Sequence, residues 1–400
     1  MKIKAWLKAL ALGAVCWGLT QGLDGATAEA KELPTVVWTN SVYALDQKVY
    51  QGQEGYKENW NLLTDNGRKR IAEAITRKLK AQAAEGKLPF KVQESSRELN
   101  ADLGRDVEGV DSPIGIVPIV TTDASFHTGY KVGSDELHRY IIIAALDIAF
   151  CSQDEGGTLR ILANIPLHFY LNLPESNNPN DMKLLSRAEE EEYFTRFAVK
   201  MIDEHLDFSK EKRLLKNLEE KTEASTDTYQ VTSVNISSKR AASMFGSGAR
   251  EAYLKKIIGD VFSSAYARNT GHVVYPSLAS GNWHKDAVTG LWRTSLDSGH
   301  SGEKVDVAMK EADNKITLDV TGVGSGEVAT KKQSDVNGYM MYKVWLKKSP
   351  VEGKEDPVAE LSTTEQFFKV ASAGINKDEH DVFRLLLIDA AAELGNRKIK

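Results

Sequence analysis

The run Tyr140–Cys151, YIIIAALDIAFC, decides how the rest of the chain is read. Asp147 is its one charged residue, and it carries no helical caps and no helical period. A membrane helix needs about 20 apolar residues, more than this run supplies. A lipid-facing barrel strand would alternate apolar and polar residues, and this run does not. The remaining reading is a buried strand with both faces covered. The turn Gln153-Asp154-Glu155-Gly156-Gly157 follows, then a second apolar run, TLRILANIPLHFYL, so the two runs form a hairpin.

Upstream, LPTVVWTN (Leu33–Asn40) reads as a first strand. Thr64 or Asp65 caps a helix to about Glu85, with Ile71, Ala74, Ile75 and Leu79 on one face and Gly86 at the C-terminal position. LPFKVQES is a short strand and IGIVPIV another, where Pro118 predicts an edge position or a bulge. Downstream, Ser186-Arg187-Ala188-Glu189 is a capping box opening a helix with the stripe Phe194, Phe197, Ala198, Met201 and Ile202.

The charged stretch Ser209–Thr226 then reads as a connector, with Leu214, Leu215 and Leu218 as its apolar side. After it the element order begins again. TYQVTSVNIS is a strand, Arg250–Asn269 a helix and GHVVYPS a short strand. Val305, Val307 and Met309, and then Ile316, Leu318 and Val320, alternate as strands do. YMMYKVWLKK (Tyr339–Lys348) answers YIIIAALDIA, and a strand through Phe367, Phe368 and Val370 follows. A last helix opens at Asn376 and Glu379, carries Val382, Phe383, Leu386, Leu387, Ala390, Ala391 and Leu394, and is expected to end at Gly395. The fold expected is α+β, an α/β sandwich-like tandem of similar domains over residues 31–208 and 227–400. Each would be a mixed or mostly antiparallel sheet with helices packed on one face.

Residues 1–28 read as a signal peptide: Lys2, Lys4 and Lys8 precede the apolar run Ala9–Leu19, and Ala26-Thr27-Ala28 or Ala28-Glu29-Ala30 offers a small-x-small cleavage site. Val15 before Cys16 argues against a lipid anchor there. Without Cys16, Cys151 stands alone and no internal disulfide forms. An exported chain without disulfides suits a bacterial periplasm or envelope. The formal net charge of −5 and the lack of a long basic cluster speak against nucleic acid as a partner.

Chemistry is thinly marked. No two of the eight histidines have the close spacing of a helical zinc site, and no Cys-x-x-Cys occurs. Asp123, His127, Asp135 and His138 form the densest metal-like group, read as a polar loop before the apolar run. If they act together, Asp123, His127 and His138 would serve a periplasmic metal-dependent hydrolase. Tyr275–His300 is a Gly/Ser-rich loop whose Trp283, His284 and Trp292 are candidates for anchoring a partner or touching a membrane surface. Phe245–Glu251, FGSGARE, reads as a helix-start turn, and Cys151 as an inert buried thiol.

The order strand, long helix, strand, meander, final amphipathic helix resembles a family of bacterial envelope domains. These are the periplasmic domains of the curli secretion lipoprotein, of penicillin-binding-protein activator lipoproteins and of the N-terminal part of the Tol–Pal translocation protein. The residues that carry the resemblance are VFRLLLIDAAAEL (Val382–Leu394), KITLDVTGVG and YMMYKVWL, and it spans Leu33–Lys400 as two copies. It implies a binding, docking or assembly module that works through contacts with envelope proteins, with no cofactor and no chemistry of its own.

Overall fold

Tyr140–Cys151 lies inside a strand, β5 (Asp135–Gln153), placed between β4 (Ile114–Val132) and β6 (Leu159–Leu173) and antiparallel to both. The computed structural model describes residues 33–44, 61–94, 114–132, 134–153, 159–174, 181–220, 228–245, 249–275, 277, 311–328, 339–352, 362–369 and 379–397. The signal peptide, Cys16, the turn at 154–157, Gly246 and Gly248, the Val305–Met309 strand, and Trp283, His284 and Trp292 lie outside the described residues.

Both faces of β5 are covered, as its unbroken apolarity requires. Ile142, Ala144, Leu146, Ile148 and Phe150 point into a core shared with helices α1 (Asp65–Ala84) and α2 (Arg187–His205). Ile143 and half-buried Ile141 point the other way, into the core of the second half. The α1 helix begins where Thr64 accepts the Gly67 N–H at 3.0 Å, and Gly86 follows it at φ +65°, a conformation open to glycine. The expected capping box opens α2, and the Ser186 backbone N–H holds the Glu189 carboxyl down at about 2.

The first sheet has six strands in the order β3 (Lys91–Glu94), β1 (Thr35–Trp38), β4, β5, β6, with β2 (Tyr43–Ala44) also on β4. Strand β1 is parallel to β3 and β4. The second sheet has five: β8 (Val273–Tyr275), β7 (Thr228–Ile236), β9 (Asn314–Val328), β10 (Tyr339–Glu352) and β11 (Ser362–Lys369). Here β7 is parallel to β8 and β9, and β9, β10 and β11 are antiparallel. Order and sense therefore repeat, so the echo read in the sequence is a repeat of topology.

The repeat does not leave two separate bodies, since Pro34–Lys400 is one compact unit. After the short helix α5 (Lys239–Phe245), helix α6 (Ala249–Thr270) packs on β7 and on α7 (Glu379–Asn396), which lies against β10 and β11. The same α6 contacts β6, and Ala124 and Ile143 of the first sheet join its core. The expectation of helices on one face thus holds for α1 and α2 but is incomplete, because α6 covers the other face of the first sheet. Strand β10 behaves differently. Buried Val344, Leu346 and Lys348 alternate with half-buried Trp345, Lys347 and Ser349. The connector is also structural: α3 (Lys212–Leu215) puts Leu214 in the second core, and Leu215 joins Leu218 of α4 (Asn217–Glu220) in the first.

Pro118 pairs with Ile148 of β5 on one side, and on the other it falls in the gap between the β1 pairing, which stops at Gly115, and the β2 pairing, which starts at Ile119, a local edge of the strand. The bulge comes later, between Val120 and Thr122. Gly395 lies at the end of the last helix as expected, one residue before α7 closes at Asn396. A Cβ there would stand 2.7 Å from both the Ala265 Cβ and the Phe262 carbonyl oxygen, so the glycine lets α6 and α7 approach closely. Gly395→Ala should lower stability by about 1–3 kcal/mol, read as a shift of the urea midpoint at unchanged slope.

Candidate functional site

The segment 120–138 is a hairpin and not a polar loop. Thr122, Asp123, Ser125 and His127 are on β4, His138 is on β5, and Asp135 is exposed beside the turn. His127 and His138 do meet, with Nε2 and Nδ1 2.8 Å apart and the rings stacked, and His127 also stacks on Tyr140. Partial desolvation and then the nearby His138 hold His127 below its ordinary pKa, with Glu136 acting against them. Asp123 does not join the pair. Four residues along a strand is roughly 13 Å, and its Oδ2 accepts the Leu63 N–H at 3.0 Å. Among the described residues no group of three or more His, Cys, Asp or Glu side chains converges as a metal site would require.

The hairpin is tied instead to the start of α2. The Met182 carbonyl accepts the His138 N–H at 2.9 Å, and the Tyr140 hydroxyl accepts the Leu185 N–H at 2.8 Å. Ser125 donates to Glu190, whose carboxyl burial pushes up in pKa against that bond.

The densest buried polar cluster lies elsewhere, on the face of the first sheet that α6 covers. The bulge at Thr121 frees a carbonyl from the ladder, and the Lys256 ammonium donates to it. Lys256 also donates to Thr122 Oγ1 at 2.8 Å and to Asp260 Oδ2 at 2.7 Å, one turn along α6. Both partners of this ion pair are buried, with side chains 3% and 7% exposed. Ala145, opposite Thr122 on one side and His168 on the other, is small enough to leave room on the sheet for the lysine. Burial raises the Asp260 pKa, and Lys256 pulls it back.

Beside this pair the last strands of the two sheets meet. Asn164 of β6 does the work of a missing ladder. Its Nδ2 donates to the Val274 carbonyl of β8 at 2.9 Å, and its Oδ1 accepts the Val274 N–H at 3.3 Å. The same Nδ2 lies 3.2 and 3.3 Å from the Asp147 carboxylate oxygens. Asp147 is pushed up to about 7, first by burial and then by Asp260, while Asn164 pulls it down. Its neighbour His168 is held down to about 4 by burial and by Lys256. Other carbonyls of β6 are met by side chains as well. Asn217 donates to Leu162 at 3.0 Å and Arg268 to Pro166 at 2.9 Å. The seam therefore closes an exposed sheet edge with side chains in place of a strand.

Chemically this is a joint. The Cys151 thiol within it is pushed up to about 12 by burial, far from the thiolate a nucleophile needs. Two signals of the seam stand in the sequence: Asp147 in the middle of an apolar strand, and Lys256 and Asp260 four apart beside the apolar stripe of a helix.

No family model matches the chain, and no curated protein matches it. Among solved structures, a neuraminyllactose-binding hemagglutinin homolog from Helicobacter pylori is similar at 9% identity and a TM-score of 0.27, over 48% of this chain and 95% of that one. At that score the likeness carries no argument about fold or function.

Lys256→Met leaves the buried Asp260 carboxylate without its cation, with the Thr122 hydroxyl still donating to it, and should cost about 3–5 kcal/mol in urea unfolding, most of it recovered by adding Asp260→Leu. Asn164→Leu strands both polar groups of Val274 and should cost about 1–3 kcal/mol by the same measurement.

Proposed function

We propose that the protein is an exported envelope protein that acts as a binding, docking or assembly module. The observation that carries this reading is how the described polar clusters are used. Lys256, Asp260, Asp147 and Asn164 bind one another or neighbouring backbone and join the halves, while the two hydrogen-bonded histidines stand apart from Asp123. Groups committed in this way hold a shape together and are not free to take up or release a substrate proton. The repeated strand order is consistent with the resemblance to envelope domains, and the basic, apolar and small-residue succession at 1–28 supports export. Envelope proteins are the partners this reading expects, and Trp283, His284 and Trp292 are its candidate contact residues.

Expression of the full chain in a bacterium, followed by cell fractionation and intact-mass measurement, tests the export half. Cleavage after Ala28 or Ala30 and recovery outside the cytoplasm are expected, and an uncut chain retained in the cytoplasm overturns it. Metal analysis of purified protein tests the other half. Stoichiometric metal that is lost in His127→Ala would replace the docking reading with metal-dependent chemistry.

A further inference from the structure

We infer that the seam between the halves is a proton-balanced latch, in which Asp147 and His168 act in opposite directions so that the joint stays closed across a wide pH range. The inference is independent of where the protein works.

The geometry comes first. Asp147 faces Pro166 across the β5–β6 pairing, and His168 is the next residue of β6 on that face, opposite Ala145. Both therefore look toward α6. Asp147 has one side-chain partner among the described residues, Asn164, and that same amide clamps Val274 of the second sheet. His168 Nε2 is buried with no hydrogen-bond partner among the described residues. The charged and titratable groups facing this pair are Lys256, Asp260 and Arg268 of α6, Cys151 of β5, Tyr275 of β8, and Asp389 of α7 beside Tyr170.

Opening the seam would hydrate both groups. Asp147 holds its proton up to about 7 when closed, against 3.8 in water, so opening releases a proton and is favoured as pH rises between those values. His168 is half-buried as a residue, but its Nε2 is enclosed and the closed joint holds it down to about 4, against 6.5 in water, so opening takes up a proton and is favoured as pH falls between those values. The windows nearly coincide and the slopes are opposite. A joint carrying both groups slopes less than one that keeps only Asp147 or only His168, and Asp260, raised by the same burial, tilts all three profiles alike.

Cys151 reports on the seam directly. It is 1% exposed, lies on β5 opposite Ile161, and Tyr275 of β8 bonds to the Ile161 backbone. In the full chain bearing Cys16→Ser it is the single thiol. Its labelling by 4,4′-dithiodipyridine is measured from pH 4.5 to 6.5 without denaturant and in low urea, with each rate divided by that of the unfolded chain at the same pH. The parent profile should lie between those of the two variants below, with a urea dependence well below that of global unfolding. Asp147→Asn should open more as pH falls, and His168→Gln more as pH rises, each approaching tenfold per pH unit. Asp260 and Lys256 are present in all three proteins, so differences between the profiles isolate the two groups. If either single variant does not fold, Asp147→Leu or His168→Phe removes the same proton site. The latch is overturned by labelling that needs global unfolding, or by failure of either variant to diverge from the parent in its stated direction.

Discussion

Lys256 carries an ammonium group into the space between a helix and a sheet, where an unpaired charge would be costly to bury. That placement holds because three acceptors wait there: the Thr121 carbonyl, the Thr122 hydroxyl and the Asp260 carboxylate. The bulge that frees the Thr121 carbonyl and the helix that delivers the lysine come from opposite halves of the chain. Each half thus supplies what the other's buried polar group needs, and the two sheets enclose α6 as a shared layer. A polar joint of this kind costs more than apolar packing would if it were mismatched, so it favours one alignment of the halves over shifted ones.

The same principle organises the sheet edges. Strands β6 and β8 end their sheets, and a bare edge invites pairing with other chains. Asn164 bridges them with an amide shaped like a peptide group, Pro166 presents no N–H, and Asn217 and Arg268 take up neighbouring carbonyls. The result is a closed junction without a continuous ladder. It also explains why an aspartate is tolerated in the most apolar strand of the protein, since Asp147 shares the amide that makes the bridge.

Much of the architecture was legible along the chain because it is local. Capping at Thr64 and Ser186 and the apolar stripes of α1 and α2 each depend on residues close in sequence. The contrast between β5 and β10 was not legible: YMMYKVWLKK reads as the counterpart of YIIIAALDIA, yet β5 is covered on both faces while in β10 buried Val344, Leu346 and Lys348 alternate with half-buried Trp345, Lys347 and Ser349. The candidate site was not legible either. The polar residues at 120–138 read as a loop because alternation is weak there, yet Thr122, Asp123 and Ser125 are buried strand residues whose partners lie in α6, before α1 and in α2.

What the sequence alone determined is the succession of elements, the mixed sheets and the repeat, all of which follow from backbone preference and apolar period over short spans. Tertiary structure decided which polar groups act together. Lys256 and Thr121 are 135 residues apart, and Asn164 and Val274 are 110 apart. Separations of that size leave no periodic trace in a chain, because a buried polar group is selected by the partner it meets across the fold and not by its neighbours along it.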